Sequence, residues 1–263
     1  MSQEKTQFDV IVIGGGPGGY GAALYASAAG LEVALIEKSR VGGTCLHVGC
    51  IPAKELLETA SVLRTVRHAE EFGVQTGEPQ LNLAKTMERK QAVIDQLTAG
   101  VEGLLKNRQV TTFHGTGSLA SGTDVKIVGP DGSEAHISGQ NIVLASGSKP
   151  RTIPGFEIDG NTIMTSDELL SIKEVPQSVA IIGAGAIGAE FASTLNDFGS
   201  EVTLLESLPE ILNGCDLDLS KTIHRAFKKR KIKVLTGTKV LGHSKNDIGI
   251  TIKTDSGLID VEK

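Results

Sequence analysis

The stretch Phe8–Lys38, FDVIVIGGGPGGYGAALYASAAGLEVALIEK, decides the fold. An unbroken apolar run, Val10–Ile13, reads as a buried strand. It enters a glycine turn at Gly14, Gly16 and Gly19, which opens a small-residue helix. A second apolar run, Val33–Ile36, ends in Glu37. Gln177–Ser207, QSVAIIGAGAIGAEFASTLNDFGSEVTLLES, repeats the pattern without a gap 169 residues further on. Gly183, Gly185 and Gly188 stand for the three glycines, Gly199 for Gly30, Val202 for Val33 and Glu206 for Glu37. Strand, glycine turn, helix and strand ending in a carboxylate make the dinucleotide-binding fingerprint. The first glycine permits the turn, the second lets a pyrophosphate approach the backbone, and the third lets helix and strand pack closely. The phosphates face a helix N-terminus, where free N–H groups and the macrodipole favour an anion. The acid accepts hydrogen bonds from a ribose. One such motif is weak evidence; two in full register imply two dinucleotides.

Bulk properties, 40% hydrophobic residues and 32 glycines, agree with an α/β chain rather than a fibrous or disordered one. The 263 residues suggest two domains, set here at 1–150 and 151–263. A net charge of −5 argues against nucleic acid or an anionic membrane as main partner. The basic run Lys228–Lys233 (KKRKIK) reads as the solvated end of a helix leading into a strand. The opening MSQEKTQ has no apolar signal core and Val10–Ile13 is too short to span a bilayer, so the expected location is cytoplasmic.

Between the repeats, a helix is expected over 48–70 with Pro52 in its first turn. Another is expected over Leu83–Lys106, its apolar face (Val93, Ile94, Leu97, Val101, Leu104, Leu105) packed on the sheet. Val110–Ile142 reads as a β-meander with turns at Ser121-Gly122 and Pro130-Asp131-Gly132, and Asn141–Ala145 as a buried strand entering the small-residue turn Ser146-Gly147-Ser148. Arg151–Pro176 is a connector. After the second fingerprint come a helix, Leu219–Lys231, strands at Lys233–Thr236 and Lys239–Gly242, and a hairpin over Gly249–Val261.

The segment Gly42–Lys54, GGTCLHVGCIPAK, places Cys45 and Cys50 around a helix start, with Gly43 and Gly49 free to bring the sulfurs together. A helix N-terminus favours the thiolate form, and Lys54 lies one turn beyond Cys50 on the same face. A close pair in a cytosolic protein favours redox chemistry. Metal binding, which lacks a second pair of ligands, and two unrelated buried thiols are the alternatives. Cys215 has no partner nearby in sequence and reads as an ordinary thiol.

This segment resembles the active-site signature of the class I pyridine nucleotide–disulfide oxidoreductases, most nearly the branch that oxidises dihydrolipoamide. The likeness runs the length of the chain. It implies two Rossmann-like domains, FAD-binding and then NAD-binding, with the meander as an insertion. It also implies a Cys45–Cys50 disulfide, with Cys45 on the substrate side and Cys50 toward the flavin. FAD contacts are then expected at Gly14, Gly16, Gly19, Glu37, Lys38, Gly43, Thr44, Lys54, Gly115, Gly117, Ser146, Gly147 and Ser148. NAD contacts are expected at Gly183, Gly185, Ala186, Ile187, Gly188, Glu206 and Val240. Lys54 is expected to pair with Glu190 near the flavin, both in catalytic roles. Glu206, with no Arg or Lys in Ser207–Glu210, favours NAD over NADP. Ile187 stands where relatives often carry a gating aromatic, and packing accounts for it equally well. His47 departs from the usual asparagine and is expected to turn to solvent or a local hydrogen bond.

Implied partners are lipoyl domains of 2-oxo acid dehydrogenase or glycine cleavage complexes and a second copy of the chain. The family is longer than 263 residues. Both nucleotide domains are therefore expected to lack a strand, the C-terminal interface domain with its His–Glu pair to be absent, and FAD binding and turnover by the chain alone to be low.

Overall fold

A computed structural model describes residues 6–247 and 249–263. The chain gathers into two compact units, residues 1–52 with 91–149 and residues 53–90 with 150–263.

The first unit is built on β1 (Gln7–Ile13), α1 (Pro17–Ala28) and β2 (Val33–Glu37). β1 and β2 pair in parallel, Val10 opposite Val33 and Ile13 opposite Ile36. Their alternation sends Val10, Val12, Val33 and Leu35 to one face, against Ala23 of α1 and Leu105. Ile11, Ile13, Ala34 and Ile36 go to the other, against Val125, Ile127 and Ile137. Both faces are covered, which is why these strands read as continuous apolar runs.

The expected helix over 48–70 is α3 (Cys50–Arg67), and a short helix not foreseen in the sequence, α2 (Gly43–His47), precedes it across Val48-Gly49. α4 (Leu83–Asn107) matches the expected helix to within one residue, but its apolar stripe is only partly used: Ile94 and Leu105 are buried, Leu97 and Leu104 exposed. The expected meander also needs correction. β3 (Thr111–His114) pairs in parallel with β2, because a long helix separates the two strands. Only β4 (Thr116–Leu119), β5 (Asp124–Val128) and β6 (Glu134–Leu144) form the antiparallel run. β6 then continues in parallel along β1, giving the order β3-β2-β1-β6-β5-β4. Its last residues, expected to be buried, are partly open, with Asn141 and Leu144 exposed.

The second unit repeats this plan. A short α5 (Ser166–Leu169), closed by a Thr165/Glu168 capping box, interrupts the connector. β7 (Ser178–Ile182), α6 (Ala186–Phe198) and β8 (Glu201–Leu205) follow, then α7 (Leu217–Lys229) and β9 (Lys233–Leu235) in a parallel order β7-β8-β9. Val179, Val202 and Leu204 face Ala192 and Leu195 of α6 and Phe227 of α7. Ala180, Ile182 and Leu205 face a three-stranded antiparallel sheet of β10 (Val240–Lys245), β11 (Ile250–Thr254) and β12 (Gly257–Val261). The expected hairpin is thus two strands of a second meander. Beyond β12, Ala180 N donates to Lys263 O at 2.9 Å, on the edge of β7 that corresponds to the β6 edge of β1.

Candidate functional site

The two glycine loops share their backbone conformation and hydrogen bonds. Gly14 and Gly183 take φ of 107° and 102°, a left-handed backbone that favours glycine. Each N–H donates back to the second strand, to Ile36 O and Leu205 O, both at 2.8 Å. A Cβ added at Gly19 would lie 1.7 Å from Gly14 O, and one at Gly188 1.9 Å from Gly183 O, so each helix rests directly on its loop. Glu37 Oε2 accepts from Gly15 N at 2.6 Å and Oε1 from Ser39 N at 2.8 Å. Glu206 Oε2 accepts from Ala184 N at 2.8 Å and Oε1 from Leu208 N at 3.0 Å. Both carboxylates are held at both oxygens by backbone donors, which fixes their direction while lone pairs stay open for a hydroxyl.

Gly16 and Gly185 differ from their neighbours. They N-cap α1 and α6 with extended backbones, φ −73° and −70°, open to any residue. The nearest atom to an added Cβ is Gly43 Cα at 3.7 Å for Gly16, and nothing lies within 4 Å for Gly185. Neither helix has a side-chain cap or an acid in its first turn, so its first N–H groups lack side-chain acceptors. A glycine that neither a close atom nor a strained backbone requires, over a helix start without a side-chain cap, fits a phosphate closing on the backbone. On these observations the residues fit two dinucleotides.

The first loop carries more structure around it. Gly43 (φ 58°) packs on Gly16, where a Cβ would fall 2.6 Å from Gly16 Cα. Gly115 N donates to Glu37 O at 3.0 Å, Gly117 lies over Ile13 and Ile36, and the Ala145 carbonyl closes on Gly14. Ser146, Gly147 and Ser148 follow as an exposed turn, and Lys38 and Thr44 are also exposed. Beside Glu37 opens a cleft of about 480 Å³, lined by Ser39, Arg40, Glu102, Lys106 and His114 among others. Sequence reasoning missed these residues, which lie on three separate segments with no common motif.

Cys45 lies within α2 and Cys50 opens α3. Gly49 is pressed against the first of these helices: a Cβ there would sit 2.7 Å from Thr44 O and 3.2 Å from Cys45 Cα. This close approach brings the chain back to Cys45 one residue before Cys50. Cys45 is partly buried and Cys50 exposed. His47 Nε2 lies 2.9 Å from Val41 O, the local bond expected of it. Cys215 is exposed.

Lys54 Nζ donates to both oxygens of Glu190, at 2.6 and 2.8 Å. Their side chains are 56% and 35% exposed, so the pair is worth at most about 1 kcal/mol. At the mouth of the second loop Ala186 is exposed and Ile187 is 62% exposed, so packing does not account for the isoleucine. Val240 is half-buried against the core that includes Leu205 and Ile252. Among the described residues no His, Cys, Asp and Glu cluster could hold a metal, and no helix is long and apolar enough to cross a membrane.

A duplicated glycine-loop unit with a cysteine pair at a helix start defines a class of two-nucleotide redox proteins. Residues 8–262 match the pyridine nucleotide-disulphide oxidoreductase family, and the chain belongs to it. It is 43% identical over 263 residues to a dihydrolipoyl dehydrogenase of Bacillus subtilis, covering 95% of this chain and 55% of that one. It is 44% identical over 228 residues to the dihydrolipoyl dehydrogenase of Chlamydia trachomatis, covering 86% and 49%. The fold is similar to that of LpdA from Mycobacterium tuberculosis, with a TM-score of 0.90 at 23% identity over 98% of this chain and 57% of that one. It is also similar to a Cu(II) complex of the flavoprotein disulfide reductase RclA from Escherichia coli, with a TM-score of 0.82 at 26% identity over 99% and 55%. The chain spans about half the length of the curated relatives it matches.

Proposed function

We propose that the chain is part of a dihydrolipoyl dehydrogenase, binding FAD at the first glycine loop and NAD at the second. The observation that carries this reading is the paired Gly16 and Gly185. Both are N-cap glycines that no close atom and no strained backbone requires, each over a helix without a side-chain cap and beside an oriented carboxylate. The cleft beside Glu37 has room for the adenosine half of the first nucleotide. When bound, FAD supplies a two-electron relay between the cysteine pair and the nicotinamide.

The chain's own residues do the rest. Cys45 and Cys50 form a disulfide in the oxidised protein, their approach set by Gly49. A dihydrolipoyl thiolate attacks Cys45 Sγ, the Cys45–Cys50 bond breaks, and Cys50 leaves as a thiolate at the start of α3. The second lipoyl thiol then displaces Cys45, releasing lipoyl disulfide and leaving two reduced cysteines. Lys54, one turn beyond Cys50 and paired with Glu190, places a cation on that side of the helix. Glu206 selects NAD, since a fixed carboxylate bonds a 2′-hydroxyl and repels a 2′-phosphate. The partners on this reading are lipoyl domains and a second copy of the chain, and the location is the cytoplasm.

Anaerobic mixing of the FAD-loaded protein with NADH or NADPH tests it. NADH should bleach the flavin and NADPH should do so at least about tenfold more slowly. Equal rates with the two cofactors would overturn the assignment of the second loop.

A further inference from the structure

α6 carries two charged side chains, Glu190 and Asp197, two helical turns apart on one face. Both engage α3. Glu190 takes Lys54 near the start of α3, and Asp197 Oδ2 accepts from Arg64 Nη1 at 2.6 Å two to three turns further on. Arg67 Nη1 also donates to the Asp197 backbone carbonyl at 2.6 Å. Between the two ion-pair sites Ala60 and Leu63 of α3 pack with Phe198. The two sites are unequal. The Lys54–Glu190 pair is largely exposed, whereas Asp197 is only 6% exposed and its Oδ1 also pairs with Arg230 Nη2 at 2.9 Å. Arg230 is fixed in turn by Ser193, donating to its Oγ and its carbonyl, both at 2.8 Å.

An exposed Lys–Glu pair does not hold its own geometry against side-chain entropy and water. A buried carboxylate between two guanidinium forks does, because each fork is planar and pre-organised. We infer that Asp197 is a positioning residue: with Arg64, Arg67 and Arg230 it sets the register of α3 on α6 and so delivers Glu190 to Lys54. This rests on the reading of Lys54 and Glu190 as functional groups beside Cys50, and adds what keeps them together. The helix that begins at Cys50 and the helix that begins at the second glycine loop are locked by one buried acid far from either helix start.

Limited acetylation of the full chain at fixed pH, with Lys54 occupancy read by peptide mass spectrometry against exposed Lys173, tests the inference. An amine held in an ion pair reacts more slowly than one in water, so Glu190→Gln should raise Lys54 labelling by about 1.5- to 5-fold, the range set by exposed pairs. Asp197→Asn should give at least half that rise, and should add nothing in the Glu190→Gln background. A lowered melting temperature with Lys54 labelling unchanged would make Asp197 merely structural and overturn the proposal. So would an equal rise in the Glu190→Gln background. Should Asp197→Asn fail to fold, Arg64→Lys keeps the charge and gives up the fork; it must raise Lys54 labelling too, and no rise refutes the inference. The readout needs no flavin, so failure of the FAD assignment leaves it intact, and its own failure leaves both glycine loops untouched.

Discussion

Replacing Gly185 and Gly188 separately by alanine divides ligand binding from packing within one loop. At Gly188 the new Cβ would stand 1.9 Å from Gly183 O, a backbone atom that cannot swing aside, and 3.3 Å from Ile181 Cγ2. Close carbon–oxygen contacts stop near ~3.3 Å, so α6 must retreat from β7 by about 1.4 Å. Overpacking of this kind costs about 1–3 kcal/mol or more, which at the scale of this chain lowers the melting temperature by about 3–10 °C. At Gly185 nothing lies within 4 Å and φ is −70°. Alanine there loses only a modest capping preference, within about 1 kcal/mol, and the melting temperature should move by at most about 4 °C. Its methyl group would occupy the space a phosphate needs, so NADH affinity should fall at least about tenfold, or ~1.4 kcal/mol. Circular-dichroism melts and NADH fluorescence titrations measure both quantities. Wild-type NADH binding by Gly185→Ala would refute the phosphate reading of the loop. Wild-type melting of Gly188→Ala would refute the packing argument.

Glu206→Arg should lower the ratio of kcat/KM for NADH over NADPH by at least about tenfold in the FAD-loaded protein; an unmoved ratio contradicts the ribose assignment. Gly49→Ala, whose Cβ would meet Thr44 O at 2.7 Å, should slow oxidation of the cysteines several-fold as followed by thiol titration; wild-type kinetics would show that Gly49 does not set their approach. Acid should destabilise the fold through specific carboxylates. Hydrogen bonds from Ile163 N and then Asn161 N hold Asp159 below the usual carboxylate range, and Thr165 does the same for Glu168. A carboxyl lowered in the folded state adds stability above its unfolded pKa, near ~4, that is lost as pH falls through the folded value. Urea midpoints should therefore hold from about pH 8 to 5 and drop below about 4, less steeply in Asp159→Asn; a flat profile in the wild type would count against these bonds.

The strand–glycine–helix–strand units were legible because both faces of β1, β2, β7 and β8 are covered and because Gly19 and Gly188 each meet the carbonyl of the first loop glycine. The Lys54–Glu190 pairing was reached through resemblance, since 136 residues separate the two. Other features had no local signature. β3 looked like a meander strand because a short half-buried strand carries the same pattern whether it pairs in parallel or antiparallel. β10 was not joined to the hairpin after it, because its antiparallel partner is chosen by burial of Ile250 and Ile252. The short α2 ahead of the expected helix went unread because the turn that sets it off rests on the approach of Gly49 to Cys45, a contact that helical periodicity does not contain. In the basic run, Arg230 was read with its neighbours as solvated, yet it pairs with a buried Asp197.

Differential alkylation of the cysteines tests the central claim most directly. The air-oxidised chain is labelled with iodoacetamide before and after treatment with dihydrolipoamide, and the peptides carrying Cys45, Cys50 and Cys215 are read by mass spectrometry. Cys215, exposed and outside the pair, should be alkylated in both samples. Cys45 and Cys50 should be protected before treatment, linked to each other in the unreduced digest, and alkylated only after the dithiol has acted. Full labelling of Cys45 and Cys50 in the oxidised chain, or protection that dihydrolipoamide does not relieve, would contradict the assignment of this pair as the redox centre.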